Sequence, residues 1–146
     1  MVDQRMKRPE LLANELRELA GELSRRLRAA SAGQVLSMTQ TSVLARLLKD
    51  GPATIADLAR AEHVKPQSMG VTVASLEDEG LVERTADPAD ARRWNASLTD
   101  KGKQHFLAGR AARQAWLSQA IAERLDEAEQ RQLLEATALL KKVLAR

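Results

Sequence analysis

The chain has 146 residues, the length of about one domain, and contains no cysteine, which excludes disulfides, thiol catalysis, thiol redox sensing and zinc sites with cysteine ligands. Aromatic residues make up only 2% of the chain, so the core must consist of aliphatic side chains and methionine, which favours helices over a β-sandwich. No apolar run approaches the roughly 18–20 residues that span a bilayer, and the N-terminus lacks the apolar core of a signal peptide, so we expect a cytoplasmic protein.

The charge gives mild support for a polyanionic partner, since the formal net charge is +3 and the sequence pI is near 9.6. In residues 60–103, however, acidic residues balance the basic ones, and the excess cations lie in the terminal segments. Bulk charge therefore does not identify a binding face, and the local arrangement of side chains has to do so.

The first predicted helix covers residues 9–30. Its leucines repeat at spacings of three and four and form one apolar stripe, which consists of Leu12, Leu16, Leu19, Leu23 and Leu27. The stripe fits either a core helix or a helix shared with a second subunit. Leu11 and Leu12 favour the second interpretation, because a single domain offers them little to pack against. A loop is predicted over residues 31–34.

Three short helices are predicted next. Thr39 is the expected N-cap of the first, which stops at Asp50-Gly51-Pro52, and Thr54 starts the second. The third begins at Pro66, because the missing proline N–H costs nothing at the first helical position, and ends before Gly80. Three helices with a short turn before the third match the helix-turn-helix plan.

A strand over residues 81–84 and a returning antiparallel strand over 94–98 are predicted to form, with the turn between them, a wing. Two long helices follow, at about 100–122 and 127–145. The predicted fold is mainly α (α+β), a winged helix-turn-helix with long N- and C-terminal dimerisation helices. Residues 36–99 are the expected DNA-binding region, and residues 1–35 and 100–146 the helical dimerisation region, within one compact unit.

The third helix is the predicted recognition helix. Its apolar positions Met69, Val73 and Leu76 share one face, and no acidic residue occurs from 64 to 76. On the other side, Gln67 can pair with adenine, serines can bond to bases or phosphates, and Val71 can meet a thymine methyl group. The alternative is an ordinary surface helix.

The wing tip carries the more specific signal. Asp87-Pro88 makes a turn, and Asp90 can accept a hydrogen bond from Arg92 or from a nearby backbone N–H and so stiffen the tip. Arg92 and Arg93 then project from a constrained ribbon. A narrow minor groove has an enhanced negative potential that attracts inserted arginines, whereas the alternative is a pair of solvated charges.

Four motifs, P-Q-S-M, L-E-D-E-G-L-V-E-R, D-P-A-D-A-R-R and S-L-T-D-K-G, in this order and spacing, resemble the MarR (multiple antibiotic resistance regulator) family of bacterial transcription factors. The resemblance covers about residues 9–146 and is most diagnostic over 64–102. It implies a homodimer, usually a repressor on a palindromic operator, whose helix 65–79 reads the major groove. It also implies that Arg92 enters the minor groove, oriented by Asp90, and that Arg84 approaches the DNA backbone or supports the wing.

One departure from the family pattern concerns Gly70-Val71, where many relatives have a Thr-Arg pair. The recognition helix therefore lacks an arginine that could pair with guanine, which shifts specificity toward the wing and DNA shape. The complete set of predicted DNA-contacting residues is Lys65, Pro66, Gln67, Ser68, Val71, Thr72, Ser75, Arg84, Asp90, Arg92 and Arg93.

No catalytic or metal site is predicted. The two histidines, His63 and His105, are far apart in sequence, and no Ser/His/Asp set, glycine-rich phosphate loop or H-E-x-x-H motif is present. We therefore expect neither an enzyme nor a cofactor. Phe106 and Trp116 are predicted core residues.

The predicted function is a sequence-specific, DNA-binding transcriptional regulator, a repressor relieved by a small aromatic or anionic effector. Relatives often bind such effectors in a crevice that Arg110, Arg113 and Trp116 would line here. Two alternatives remain open: a non-sensing architectural DNA-binding protein, which would bind all duplexes equally, and a winged-helix protein-interaction module, which would show no salt-dependent DNA binding.

Overall fold

The computed structural model of the chain describes residues 2–31 and 36–145, with side chains from residue 7 onward. Beyond Ser31, the predicted loop lies outside the described residues. The elements in chain order are α1 (Val2–Ala30), α2 (Met38–Asp50), β1 (Ala53–Thr54), α3 (Ile55–Ala61), α4 (Pro66–Asp78), β2 (Val82–Ala86), β3 (Trp94–Leu98), α5 (Asp100–Arg124) and α6 (Glu127–Leu144). The mainly helical winged helix-turn-helix prediction is confirmed.

The N-cap of helix α2 lies two residues earlier than predicted. Ser37 is the N-cap: its Oγ accepts from the Gln40 backbone N–H at 3.1 Å, and the Gln40 side-chain oxygen accepts from the Ser37 N–H at 2.8 Å. This reciprocal capping box satisfies two backbone donors at once. The prediction of Thr39 was therefore wrong, because Gln40 stands three residues after Ser37, the spacing that a capping box requires.

The helix-turn-helix follows the sequence prediction. Thr54 caps α3, with its Oγ1 accepting from the Asp57 N–H at 3.1 Å. A turn at residues 62–65 leads into α4, where Pro66 occupies the first helical position. Gly80 adopts φ +71°, a left-handed conformation that costs glycine little, and the chain leaves α4 there to enter β2.

The sheet has three antiparallel strands in the order β1-β3-β2, so the predicted two-stranded ribbon gains a short third strand. β2 pairs with β3 from Val82 opposite Leu98 to Ala86 opposite Trp94. β1 pairs with the other edge of β3, placing Ala53 opposite Ala96. β1 was missed because two residues are too few to show a strand pattern. β2, β3 and the turn between them form the wing.

The start of α5 is fixed against β2. The Thr99 hydroxyl donates to the Gly80 carbonyl oxygen at 2.7 Å and accepts from the Gly102 N–H at 3.0 Å, so Thr99 caps α5. A Cβ atom at Gly102 would overlap the carbonyl group of Leu81. Gly102 is therefore required by close backbone packing.

The chain divides into two compact units. The winged-helix unit is Ser31–Ala111, and the helical unit consists of the residues up to Ala30 and from Ala112 onward, so the boundary falls inside α5. The winged-helix unit has its own core, in which the buried hydrophobic residues are Leu36, Val43, Leu44, Leu47, Leu58, Ala59, Met69, Val73, Leu76, Leu81, Val82 and Ala96. Phe106 packs against this core, as predicted.

The helical unit exposes its leucines. Helix α1 is longer than predicted and continues through Pro9, and its leucine stripe is 37–60% exposed from Leu12 to Leu23. Leu134 and Leu139 of α6 are 71% and 61% exposed, and α6 has no buried residue. None of the helices, as far as the structure describes them, is long and apolar enough to cross a membrane.

Candidate nucleic-acid interface

The N-terminal half of α4 presents the predicted recognition residues to solvent. Lys65 is the N-cap residue, and it, Pro66, Gln67 and Ser68 are exposed. Val71, one turn further along, is 70% exposed. On the opposite side of the helix, the predicted apolar face is fully buried, since the most exposed of its three side chains, at position 73, is only 1% exposed. Burial of that face fixes which side of α4 faces outward.

Two residues of α4 that were predicted to contact DNA are engaged within the protein. The Ser75 hydroxyl accepts a hydrogen bond from the Gln40 side-chain amide at 3.2 Å, and Ser75 is half-buried. The Thr72 hydroxyl donates to the Ser68 carbonyl oxygen at 3.1 Å on its own helix. Gln40 also belongs to the capping box of α2, so it ties the start of α2 to α4. Ser75 therefore helps to place α4, a role that sequence reasoning missed.

The centre of the exposed α4 face carries only small or apolar side chains and no charge. A Cβ atom at Gly70 would meet no heavy atom within 4 Å, so this glycine is not required by packing. Next to it stands the apolar Val71. A macromolecule that docks on α4 can approach the backbone closely here, and it meets methyl groups rather than a charge.

The acidic end of α4 is joined to the wing. Arg84 of β2 donates from Nε to the Glu77 carboxylate at 2.7 Å, and the Arg84 side chain is 52% exposed. Lys101 donates to the Glu79 carbonyl oxygen at 2.7 Å. Glu77 is thus neutralised by a partner within the unit. Sequence inspection did not pair Glu77 with Arg84, because the two residues lie on different elements separated by a turn.

Hydrogen bonds to the backbone stiffen the tip of the wing. Asp90 Oδ1 accepts from the Arg92 N–H at 3.0 Å, and the Asp90 carbonyl accepts from the Arg93 N–H at 2.9 Å. Asp87 Oδ1 accepts from the Ala89 N–H at 2.8 Å. The predicted hydrogen bond of Asp90 is confirmed, and its donor is the backbone N–H of Arg92.

The two wing arginines are presented from this rigid tip. Arg92 and Arg93 are exposed, and neither guanidinium has an ion-pair partner among residues 7–31 and 36–145. Trp94, the residue that follows, is 58% exposed although it begins a strand whose residue Ala96 is buried. The tip therefore combines free cationic groups with one exposed indole ring.

The remaining candidate residues do not form a second site. His63 lies in the turn before α4 with φ +54°, and the Nε2 atom of His105 is buried without a hydrogen-bond partner in the described part of the chain. No group of three or more His, Asp or Glu side chains within that part is placed to hold a metal ion. In the helical unit, Trp116 is half-buried, and an open groove on α5 and α6 includes Ile121, Arg131 and Leu134.

A helix-turn-helix whose recognition helix exposes an N-terminal half without acidic residues, followed by an arginine-bearing wing, defines a winged-helix protein of the DNA-binding class. Comparison with known proteins agrees. The MarR family profile matches residues 36–94. An HTH-type transcriptional regulator of Mycobacterium tuberculosis is 38% identical over 111 residues, covering 76% of this chain and 78% of the relative. The chain belongs to the MarR family, and it is a transcriptional regulator rather than an enzyme.

Two further proteins extend the comparison. The HTH-type transcriptional repressor MdtR of Bacillus subtilis is 37% identical over 82 residues, which cover 54% of this chain and 53% of that repressor. The crystal structure of a transcriptional regulator from Pseudomonas aeruginosa is 32% identical and superimposes with a TM-score of 0.84, covering 94% of this chain and 96% of that one. The similarity therefore reaches beyond the winged helix to nearly the whole chain.

Proposed function

We propose that the winged-helix unit binds duplex DNA with α4 in the major groove and the tip of the wing in an adjacent minor groove. The observation that carries the proposal is the pair of unpaired guanidinium groups, Arg92 and Arg93, held on a tip that its own hydrogen bonds make rigid. A preorganised arginine loses little conformational entropy when it enters a groove of strong negative potential.

On α4, the exposed N-terminal residues support the same proposal. Lys65 can neutralise a phosphate, Gln67 can pair with adenine, and Ser68 can bond to a base or a phosphate. Helix N-termini also attract phosphate groups. In contrast, Arg84, Thr72 and Ser75 use their side chains within the unit, so we assign them to positioning α4 and the wing.

We further propose a cytoplasmic homodimer that forms through the helical unit and recognises a palindromic operator. The exposed leucines of α1 and α6 support this proposal, because a monomer would leave both apolar faces in water. In dimers of this kind, two recognition helices about 34–36 Å apart meet successive major grooves on one side of the duplex.

Family membership and the similarity to a repressor support repression as the regulatory outcome. A dimer that covers an operator excludes other proteins from that DNA. We propose that a small aromatic or anionic effector relieves repression by binding better to a conformation in which the two recognition helices no longer fit successive grooves. Screening such compounds for a rise in melting temperature together with release of DNA tests this part.

The central experiment measures binding to duplexes that the wild-type protein enriches from a random-sequence pool. We expect Arg92→Ala to weaken binding to an enriched duplex by about 1–3 kcal/mol, the scale of a good specific contact. Arg124→Ala, which removes an exposed charge at the end of α5, is the matched control and should leave affinity nearly unchanged. Fluorescence anisotropy at several salt concentrations measures both affinities.

Three results would contradict the proposal in different ways. Equal losses for the two variants would mean that only overall charge matters. Equal affinity of the wild-type protein for enriched and random duplexes would favour an architectural DNA-binding protein. Absence of any salt-dependent binding would favour a protein-interaction module.

A further inference from the structure

The exposed tryptophan of the wing has no partner within the unit. Trp94 is 58% exposed, and its cross-strand neighbour is Ala86, whose methyl group covers little of an indole ring. Within the described residues, no hydrogen bond occupies its indole N–H. Tryptophan combines a large apolar surface with one polar donor, which is why it is enriched where proteins bind other molecules.

The register of the wing shows which way this ring faces. Residues directly opposite each other in an antiparallel pair lie on the same face of the ribbon, and so do residues two apart along a strand. Trp94 therefore shares a face with Ala96 and with Arg84, the partner of Ala96. Arg84 on this face binds Glu77 of α4, so the face that carries Trp94 is the one turned toward the recognition helix.

This placement determines which part of a bound duplex Trp94 would face. When α4 lies in the major groove and the wing tip lies in the adjacent minor groove, the DNA strand that separates the two grooves passes between them. It then runs along the face of the wing that is turned toward α4. Of the exposed residues on this face, Arg84 is held by Glu77 and Ala86 is small, so Trp94 is the large side chain that projects beyond the protein core.

We propose that Trp94 is a DNA-binding residue that packs its indole ring against the sugar–phosphate backbone of this intervening strand and donates its N–H to a phosphate oxygen. The inference rests on the proposed function and adds a contact with the backbone rather than with bases. Such a contact sets the depth and register of the wing and reads no sequence by itself.

The charges beside Trp94 fit this partner. Arg92 and Arg93 precede it directly and are exposed. The nearby carboxylates each accept a backbone hydrogen bond at the tip, through Asp87 Oδ1 and Asp90 Oδ1. The surface around the indole is therefore cationic, and a polyanion complements it better than a neutral protein surface does. We infer that the partner of Trp94 is duplex DNA.

Intrinsic fluorescence tests the contact directly, because the chain contains two tryptophans. In a Trp116→Phe variant, Trp94 is the remaining emitter. The probe is a duplex of about 30 base pairs enriched from a random pool by the wild-type protein, long enough for two half-sites one helical turn apart with flanking DNA. We expect titration with this duplex to change the Trp94 emission, saturating at the same concentration as binding measured by anisotropy.

Affinity measurements on three variants complete the test. We expect Trp94→Ala to weaken binding about five-fold or more, the loss typical of a residue that contributes at a binding interface. Trp94→Phe keeps an aromatic ring, though a smaller one, without the N–H donor and should fall between Trp94→Ala and wild type. Asn95→Ala, on the opposite face of the same strand, is the matched control and should bind as wild type does. Thermal unfolding confirms that each variant folds.

The outcomes separate this inference from the proposed function. If wild-type protein and all variants fail to bind DNA, the proposed function itself fails. If Arg92→Ala loses affinity while Trp94→Ala and the Trp94 emission are unaffected, the proposed function stands and the inference is overturned. A Trp94 emission that follows protein concentration but not added DNA would instead place a second copy of the chain on the ring, which also overturns it.

Discussion

The winged-helix unit and the helical unit use similar aliphatic side chains in opposite ways. Leu44 and Leu58 of the winged-helix unit are fully buried, whereas Leu19 and Leu134 of the helical unit are 60% and 71% exposed. All the buried hydrophobic residues of the described chain belong to the winged-helix unit. One unit therefore closes a core by itself, and the other presents apolar faces that a single chain leaves in water.

The difference follows from how the elements are combined. Short helices and a sheet that cross one another can surround leucines on every side, as around α3 and α4. Long helices with one apolar face bury it only where another helix lies alongside. If that helix comes from a second chain, the stability of the helical unit depends on protein concentration, whereas the stability of the winged-helix unit does not.

The largest expected effect comes from the closed core. Leu44→Ala leaves a cavity among fully buried neighbours and should lower the free energy of unfolding by about 2–5 kcal/mol. Val71→Ala, at a position 70% exposed on α4, is the matched control and should change it by less than about 0.5 kcal/mol. Chemical denaturation followed by circular dichroism measures both, and equal losses would contradict the assignment of the core.

The next largest effect tests the helical unit. Leu134→Glu places a carboxylate on the apolar face of α6 and should raise the dissociation constant of the proposed dimer by on the order of 100-fold, about 2.7 kcal/mol. The winged-helix unit should stay folded. Sedimentation velocity over a dilution series measures the association. The control is Glu135→Gln, a neighbouring exposed residue, and a Leu134→Glu protein that dimerises like wild type would exclude α6 from the interface.

Alanine substitutions at two glycines, one tightly packed and one facing open space, should have opposite effects on stability. Gly102→Ala forces a methyl group into the Leu81 carbonyl and should destabilise the protein by about 1–3 kcal/mol. Gly70→Ala meets open space in the middle of α4 and should stabilise by about 0.5–1 kcal/mol, because alanine favours the helix. Thermal unfolding of both variants compares them, and the same sign of change in the two would show that backbone contact is not what distinguishes them.

The smallest expected effect concerns the cap of α3. The Thr54 hydroxyl, which donates to the carboxylate at 2.8 Å, and then Arg60 hold the pKa of Asp57 below its usual value of about 3.8. Because the folded state favours the ionised carboxylate, this stabilisation is complete above the unfolded pKa and disappears as the pH falls through the lowered folded value.

Asp57→Asn should accordingly cost less than about 1 kcal/mol at pH 7, since the carboxylate is exposed. The difference from wild type should shrink as the pH falls below the ordinary carboxyl pKa of about 3.8 and vanish below the lowered pKa of the folded state, where both side chains are neutral. Unfolding measured across this pH range checks the sign. A difference that grows on acidification would contradict the ionised-cap interpretation.

Much of the fold follows from local sequence. Pro66 and Gly80 delimit the recognition helix, and the period-two pattern of β3 is a paired strand. Asp126 and Glu129 form a capping box at 2.9 Å in both directions. Each of these features depends on residues a few positions apart. The Ser37–Gln40 box has the same local form, so the sequence also contained the information that identifies Ser37, rather than Thr39, as the cap.

The tertiary structure alone decided which polar side chains are free to bind and which already have partners. Ser75 looks like a DNA contact in the sequence of α4 but bonds to Gln40, 35 positions earlier, and Arg84 is held by Glu77 across a turn. Gly102 is required only because Leu81 passes beside it. Sequence periodicity shows which face of an element is apolar. It does not show which element from a distant part of the chain packs there, and those long-range contacts leave Arg92, Arg93 and Trp94 exposed.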